Sequence, residues 1–378
     1  MGAKVAIVRC AEYNDKLLYD KVGEAIALAG GLGEFKGKKV LLKPNILFAV
    51  GPERPVTTHP AFAGAVSRHF VEAGATVYVG DSPGIHTSHR GGLVSGIAKA
   101  VTDAGAQWVD FRHGIDTPNP GGKMVKRFPI AEIFSKVDAV VSLPKLKTHG
   151  MMYYTGGMKN LYGMIPGLTK AQLHVRFPER ANFAAMIVDL NLLLKPAMCI
   201  MDGVIAMEGP GPGSGYPKNT GLVLASKNIL ALDMTACRII GYDPHDIPIL
   251  SDALSRGFWL TSESEIETAG ETVADVRVKD FKLVKVLRDT GFIRKLFPGL
   301  FKLIRGITVP KPRFLHDKCI RCGECVKICK SDALCFVDDA KSTYGKKISV
   351  DYKKCIRCYC CHEVCPADAI RLRSLRDS

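Results

Sequence analysis

The chain has 378 residues, 47% of them hydrophobic, so it can bury a core far larger than any small appended module needs. No stretch approaches the ~20 apolar residues of a membrane span. Its opening residues read as a strand rather than a secretory leader, and the formal charge of +15 comes without any recognisable nucleic-acid-binding module, so no nucleic-acid partner is expected.

Short apolar runs alternate with helical patterns through the first two thirds. Val5–Val8, Lys39–Leu42, Thr76–Val79, Trp108–Phe111, Ala139–Leu143, Met198–Met201 and Leu222–Ala225 read as strands buried on both faces. Tyr19–Ala29, Ala61–Ala73, Leu93–Ala104 and Ala181–Leu194 carry apolar residues at helical spacing. This alternation predicts an α/β fold, a mostly parallel Rossmann-like sheet with helices on both faces. Ligands of such sheets sit outside the C-terminal strand ends.

Those strand ends are unusually polar. Lys43-Pro44-Asn45 follows the second run and Gly80-Asp81-Ser82-Pro83-Gly84 the third. Pro144-Lys145-Leu146-Lys147-Thr148-His149 follows the fifth, and Gly156-Gly157-Met158-Lys159-Asn160 comes soon after. Asp202-Gly203 follows the sixth and leads to Glu208-Gly209-Pro210-Gly211-Pro212-Gly213. Each string alone is compatible with an ordinary tight turn; four on one face point to a shared site. Asp81, Lys145, Lys147 and His149 are the candidate catalytic groups. Lys43, Asn45, Ser82, Lys159, Asn160, Asp202 and Glu208 are the candidate substrate contacts. The lysines favour an anionic ligand, the carboxylates add acid/base or metal-binding capacity, and His149 is the central proton shuttle at neutral pH. His86 and His89 have a metal-ligand spacing with no carboxylate in support. The Gly209–Gly213 string lacks the spacing of a phosphate loop or dinucleotide fingerprint, so neither ATP nor NAD is expected.

Residues 279–313 hold ten Lys or Arg against Asp280 and Asp289, interleaved with Phe and Leu. The segment reads as a basic amphipathic connector that packs its apolar side inward and faces acidic partners such as ferredoxins. Peripheral contact with a membrane surface is the other reading.

Thirteen cysteines remain to be placed. Eight form Cys319-x2-Cys322-x2-Cys325-x3-Cys329 and, 36 residues on, Cys355-x2-Cys358-x2-Cys361-x3-Cys365-Pro366. This is the bacterial two-cluster ferredoxin spacing, in which each run gives three thiolates to one [4Fe–4S] cube and its fourth to the other. The expected partition is Cys319, Cys322, Cys325 and Cys365 on one cube, with Cys355, Cys358, Cys361 and Cys329 on the second. Zinc is the alternative, though zinc sites usually pair two separated knuckles. Lys330 stands where the second run has Pro366. Cys335 and Cys360 should be dispensable, with Cys360 pointing away from its cube. The scattered remainder argues against disulfides and for a reduced cytoplasm, and exposed cubes suit an anaerobe.

The Lys-Pro-Asn, Gly-Asp-Ser-Pro-Gly, Leu-Pro-Lys-Leu-Lys-Thr-His, Met-Lys-Asn-x-x-Gly and Asp-Gly-x-x-x-x-Glu-Gly-x-Gly-Pro strings resemble those of the domain of unknown function 362 family. The resemblance covers residues 4–245 and the cysteine region, and implies the architecture more than a reaction. Domain boundaries are expected at 1–278 for the α/β part, 279–313 for the connector and 314–378 for a ferredoxin-like α+β part. The expected function is an oxidoreductase passing low-potential electrons to a small anionic substrate or cofactor, fed by a redox partner such as a ferredoxin. The alternative is a non-enzymatic electron-transfer or cluster-handling protein docking on a larger complex. The connector is long enough for a second chain of a homodimer to supply the cysteine-rich lobe.

Overall fold

A computed structural model describes residues 2–84, 86–167, 169–286, 309–339 and 344–373. Most of the basic 279–313 segment lies outside the described residues. Its described start is tied to the α/β part, where Lys282 N donates to Glu208 Oε2 and Val284 N to Tyr242 OH, both at 2.9 Å.

Among the described residues, twelve strands precede the cysteine-rich part: β1 (Ala3–Arg9), β2 (Lys39–Pro44), β3 (Thr76–Val79), β4 (Gln107–Trp108), β5 (Gly114–Pro118), β6 (Arg127–Ala131), β7 (Ala139–Leu143), β8 (Lys145–His149), β9 (Tyr153–Thr155), β10 (Met198–Glu208), β11 (Tyr216–Ser226) and β12 (Ile266–Gly270). Ten of them form one sheet in the order β12-β1-β11-β10-β7-β2-β3-β4, with β8 and β9 attached beside β10. Pairings along β10-β7-β2-β3-β4 are parallel, whereas β11 runs antiparallel to both β1 and β10. The mostly parallel α/β fold expected from the sequence is the fold observed.

Alternation along each strand explains the layers. Ala6 and Val8 of β1, with Val40 and Leu42 of β2, join the core under α1 (Asp15–Leu28), α2 (Pro60–Glu72) and the later helix Ile97–Asp103. Val5, Ile7 and Leu41 point to the opposite core, under helices Arg180–Leu194, Ile229–Ile240 and Pro248–Arg256. Helix starts are locally encoded: Asn14 accepts from Leu17 N, and Pro60 opens α2 behind His59.

Three local expectations need correction. The helix expected at Leu93–Ala104 is two helices, Ser88–Val94 and Ile97–Asp103, because Gly96 turns left-handed (φ 76°) between them. The strand expected at Trp108–Phe111 is only the two residues of β4. Lys145–His149, read as a loop, is strand β8. It continues β7 past Pro144 and pairs with β10, so Asp202 sits inside a long strand rather than after a short one.

The cysteine-rich part is a repeat. Strands β13 (Lys311–Phe314) and β16 (Ile370–Arg373) form one hairpin-like pair, and β14 (Leu334–Asp338) with β15 (Lys346–Val350) the other. The left-handed residues recur at the same 36-residue offset as the cysteines: Arg321 and Arg357, Gly323 and Tyr359, Asp332 and Asp368. Arg54 clamps this part to the α/β sheet, donating to Gly213 O at 2.8 Å, Pro366 O at 3.2 Å and Asp368 Oδ1 at 3.1 Å.

Candidate functional site

At the C-terminal edge of the sheet lies a buried lysine–carboxylate lattice. Lys43, at the end of β2 and 0% exposed, places Nζ 2.6 Å from Asp81 Oδ1. The same ammonium donates to Pro44 O at 2.8 Å and Asn160 Oδ1 at 3.0 Å. Asp81 also accepts from Ser82 N on Oδ1 (2.8 Å) and from Ile46 N on Oδ2 (2.6 Å), which occupies both carboxylate oxygens. Asn160 Nδ2 returns to Lys43 O and Ser142 Oγ. The close fit requires a glycine at 163, where an added Cβ would lie 2.1 Å from Asp81 Oδ1. Lys147, from β8, donates to Asn45 Oδ1 at 2.6 Å and Val56 O at 2.7 Å.

These groups surround a cavity of about 90 Å³. Lys43, Asn45, Asp81, Ser82, Lys147, Lys159 and Asn160 line it, as do Thr155, Tyr162, Lys170 and His174. Its remaining wall comes from the cysteine-rich part: Ile328, Cys360, Glu363 and Val364. Cys360 is thus buried against the cavity and packed with Ala171, Val364 and Cys358.

Other expected site residues lie elsewhere. Lys145 and Asp202 do not line the cavity; they pair with each other at 2.9 Å, and Tyr13 OH bridges them, 2.7 Å from Lys145 Nζ and 2.8 Å from Asp202 Oδ1. Asp202 Oδ2 further accepts from His59 N, so this second buried cluster is internally satisfied. Glu208 is at the far end of β10, 3.6 Å from Lys282 Nζ and accepting from Lys282 N. His149 is fully buried behind the cavity wall, its Nδ1 accepting from Met151 N (3.0 Å) and Met152 N (3.2 Å). That puts the ring proton on Nε2, which faces Glu363 Oε1 at 3.3 Å without hydrogen-bond alignment. His86 Nδ1 accepts from Ala49 N, and His89 stands near Asp110; among the described residues neither joins a group that could share one metal ion.

Burial dominates the electrostatics. It pushes the Lys43 and Lys159 ammonium groups below their ordinary range, offset for Lys43 by Asp81 and for Lys159 by Glu363. Lys147 is driven further down, first by burial and then by Lys159. Lys170 falls to about 7, again by burial, with Asp81 opposing. His174 is pushed down to about 3 by burial and by Lys159, and His149 well below its usual value, so both rings are neutral.

The cysteine thiols form two sets. Cys319, Cys322, Cys325 and Cys365 line one small cavity, capped by Phe314, Ile348 and Ile370. Cys355 has Cys358 and Cys329 beside it, and Cys361 has Cys358, Cys355 and Cys329 near it, with Cys325 of the first set also close. Ala333 N points at Cys329 Sγ (3.3 Å) and Ala369 N at Cys365 Sγ (3.2 Å), the amide-to-sulfur contacts that suit a ligated thiolate. Four soft donors around a cavity, backed by such amides, fit an iron–sulfur cluster.

Sequence reasoning missed Thr155, Lys170, His174, Tyr13 and Glu363. Lys170 and His174 belong to a helix, Thr169–Arg176, with no motif to mark them. Tyr13, just after β1, was reachable by the strand-end logic. Glu363 was reachable from the repeat, since its counterpart 36 residues earlier is the exposed Lys327.

The family model for the domain of unknown function 362 matches residues 40–238, and that of a 4Fe-4S dicluster domain matches 318–369. The thylakoid-associated protein sll1697 of Synechocystis sp. (strain PCC 6803) is 31% identical over 303 residues, covering 77% of this chain and 94% of that protein. Among solved structures, the lactate racemase apoprotein of Thermoanaerobacterium thermosaccharolyticum aligns at 13% identity and TM-score 0.42, covering 64% of this chain and 57% of that one. A Thermotoga maritima protein aligns at 14% identity and TM-score 0.37, covering 61% and 59%. The chain spans less than two thirds of either structure. It belongs to the domain of unknown function 362 family and carries a C-terminal 4Fe–4S domain of ferredoxin type, a module for electron transfer with redox partners.

Proposed function

We propose that this family member is an iron–sulfur oxidoreductase that delivers low-potential electrons to a small anionic substrate or cofactor, bound between the α/β part and the cysteine-rich part. The observation that carries the reading is the make-up of the cavity. Strand-end lysines and asparagines form one side, and Cys360, Glu363, Val364 and Ile328, interleaved with the cluster ligands, form the other. Two [4Fe–4S] clusters are proposed, one on Cys319, Cys322, Cys325 and Cys365, the other on Cys355, Cys358, Cys361 and Cys329. When bound, they supply single electrons at potentials that nicotinamides do not reach.

The chain's own residues then have distinct tasks. Lys147 and Lys159 face the ligand with N–H donors, whose protonated form a bound anion favours. Lys43, Asp81 and Asn160 hold the strand ends rigid around it, with every carboxylate oxygen of Asp81 already occupied. Ile328, Val364 and Tyr162 close the cavity with apolar surface, which strengthens each polar contact inside. A redox partner of ferredoxin type would meet the opposite edge of the lobe, where Cys322 is exposed and Ile320 is 55% accessible. A cytoplasmic place belongs to the same proposal. The thylakoid association in the relative's name supports peripheral membrane contact, for which the basic 279–313 segment supplies charge. The carrier reading calls for a flat rim; a cavity of about 90 Å³ between the two parts favours the enzyme.

The test is reoxidation. Anaerobic holo-protein, photoreduced and mixed with a panel of small anions, should lose its reduced-cluster signal with at least one of them. Lys147→Met and Lys159→Met should slow that loss by at least tenfold. Reoxidation by protein partners alone, indifferent to both substitutions, would establish the carrier instead.

A further inference from the structure

Most of the unused polar atoms of the cavity are donors. Lys159 Nζ has no hydrogen-bond or ion-pair partner among the described residues. Lys147 Nζ gives two of its three N–H groups to Asn45 Oδ1 and Val56 O and keeps one. Ser82 Oγ accepts from Gly167 N (3.0 Å) and Lys170 Nζ (2.7 Å), so with both lone pairs engaged its own O–H is left to donate. Thr155 Oγ1 is buried and unpaired. The acceptors on the same walls are already taken: Asp81 by Lys43, Ser82 N and Ile46 N, and Asn160 Oδ1 by Lys43 and Asn45. The exceptions are Glu363, whose Oε1 is turned toward the His149 ring, and the neutral His174 ring, whose Nδ1 is buried without a partner.

Charge and size narrow the ligand further. Lys43 and Asp81 pair with each other, leaving Lys147, Lys159 and Lys170 against Glu363, three amines to one carboxyl; burial lowers the three amines and raises the carboxyl, so an anion in the cavity draws protons onto the lysines. An apolar cavity of about 150 Å³ holds the six carbons of benzene, so a cavity of about 90 Å³ has room for about four non-hydrogen atoms. A buried donor without an acceptor is costly, and an array of them facing one small space is satisfied together only by a ligand that accepts on several sides.

We infer that the cavity is a binding site for a compact oxyanion or short carboxylate, held by Lys159, Lys147, Ser82 and Thr155. Its donors disfavour amines, and its inner volume disfavours aromatic acids and nucleotides. The inference shares its pocket with the proposed function, yet anion binding does not require that electrons reach the anion.

The experiment is calorimetric titration of oxidised, anaerobic holo-protein with formate, bicarbonate, sulfite and phosphate, using methylammonium and ATP as controls. At least one of the four anions should bind at one site per chain, and neither control should compete. Lys159→Met should weaken binding at least tenfold and Thr155→Val a few-fold, with Lys159→Arg restoring most of the loss. Lys99→Met, on an exposed helix face, should change nothing. An unaltered cluster absorption spectrum shows that each variant is folded. Binding by none of the four anions, or equal affinity in Lys159→Met, overturns the inference, as does competition by ATP. Tight anion binding without reoxidation of the reduced protein upholds this site and removes the oxidoreductase reading instead.

Discussion

Asp81→Asn separates a scaffolding role for this carboxylate from a catalytic one. Its two oxygens accept from three donors: Lys43 and Ser82 N on one side, Ile46 N on the other. An amide in its place turns its NH2 toward a donor in either orientation. It also leaves the Lys43 ammonium fully buried without a counter-charge. Breaking a buried pair in this way costs about 3–5 kcal/mol. Lys43→Met should cost less, because the remaining carboxylate keeps two backbone N–H donors. In a domain of this size, each kcal/mol lowers the melting temperature by roughly 2–4 °C, so Asp81→Asn should lower it by roughly 10 °C. Adding Lys43→Met to Asp81→Asn should recover part of the loss, because the uncompensated charge is gone. Far-UV circular dichroism of anaerobic holo-protein measures all three variants. A melting temperature for Asp81→Asn within 2 °C of the parent, or a larger drop for Lys43→Met, would refute the reasoning.

Four other outcomes are expected. Anaerobically purified protein should hold about eight iron and eight sulfide per chain, reduced by Cys322→Ser and unchanged by Cys335→Ser; four iron, or zinc instead, would contradict the cluster assignment. Histidine NMR should show His174 and His149 still neutral at pH 5.5, since burial pushes His174 down to about 3 and lowers His149 as well; a midpoint near 6.5 for either would contradict their burial. Because the folded protein resists protonating His174 while the unfolded chain does not, this group costs stability as pH falls below 6.5, by about 1.4 kcal/mol per unit until about 3. Gly163→Ala should destabilise the lattice, with loss of anion binding, since its Cβ would strike Asp81 and Lys43.

The sheet was legible because its strands are short, apolar on both faces and separated by helical spacing, a pattern that buried parallel strands must show. The left-handed turn at Gly96 was hidden inside a continuous apolar period, so one long helix was read where two exist. Strand-end polarity led to Lys43, Asn45, Asp81, Ser82, Lys147, Lys159 and Asn160, which the fold brings to one cavity. The same logic grouped Lys145 and Asp202 with them. It cannot tell which way a residue faces when a proline at 144 lets one strand continue as another, and these two turn toward Tyr13. Thr155, Lys170 and His174 carried no local signal, because their role arises from packing between distant elements. Glu363 was present as a break in the repeat: where the first copy has an exposed lysine, the second has the carboxylate that closes the pocket.

The central claim is that a small anion binds in the cavity walled by the cluster-bearing part. Pulsed electron paramagnetic resonance of the reduced holo-protein with 13C-labelled formate or bicarbonate tests it most directly. The account predicts a 13C coupling to the cluster spin in the parent protein and its loss in Lys159→Met. A labelled anion that binds stoichiometrically yet gives no coupling in the parent, or an identical coupling in Lys159→Met, would contradict it.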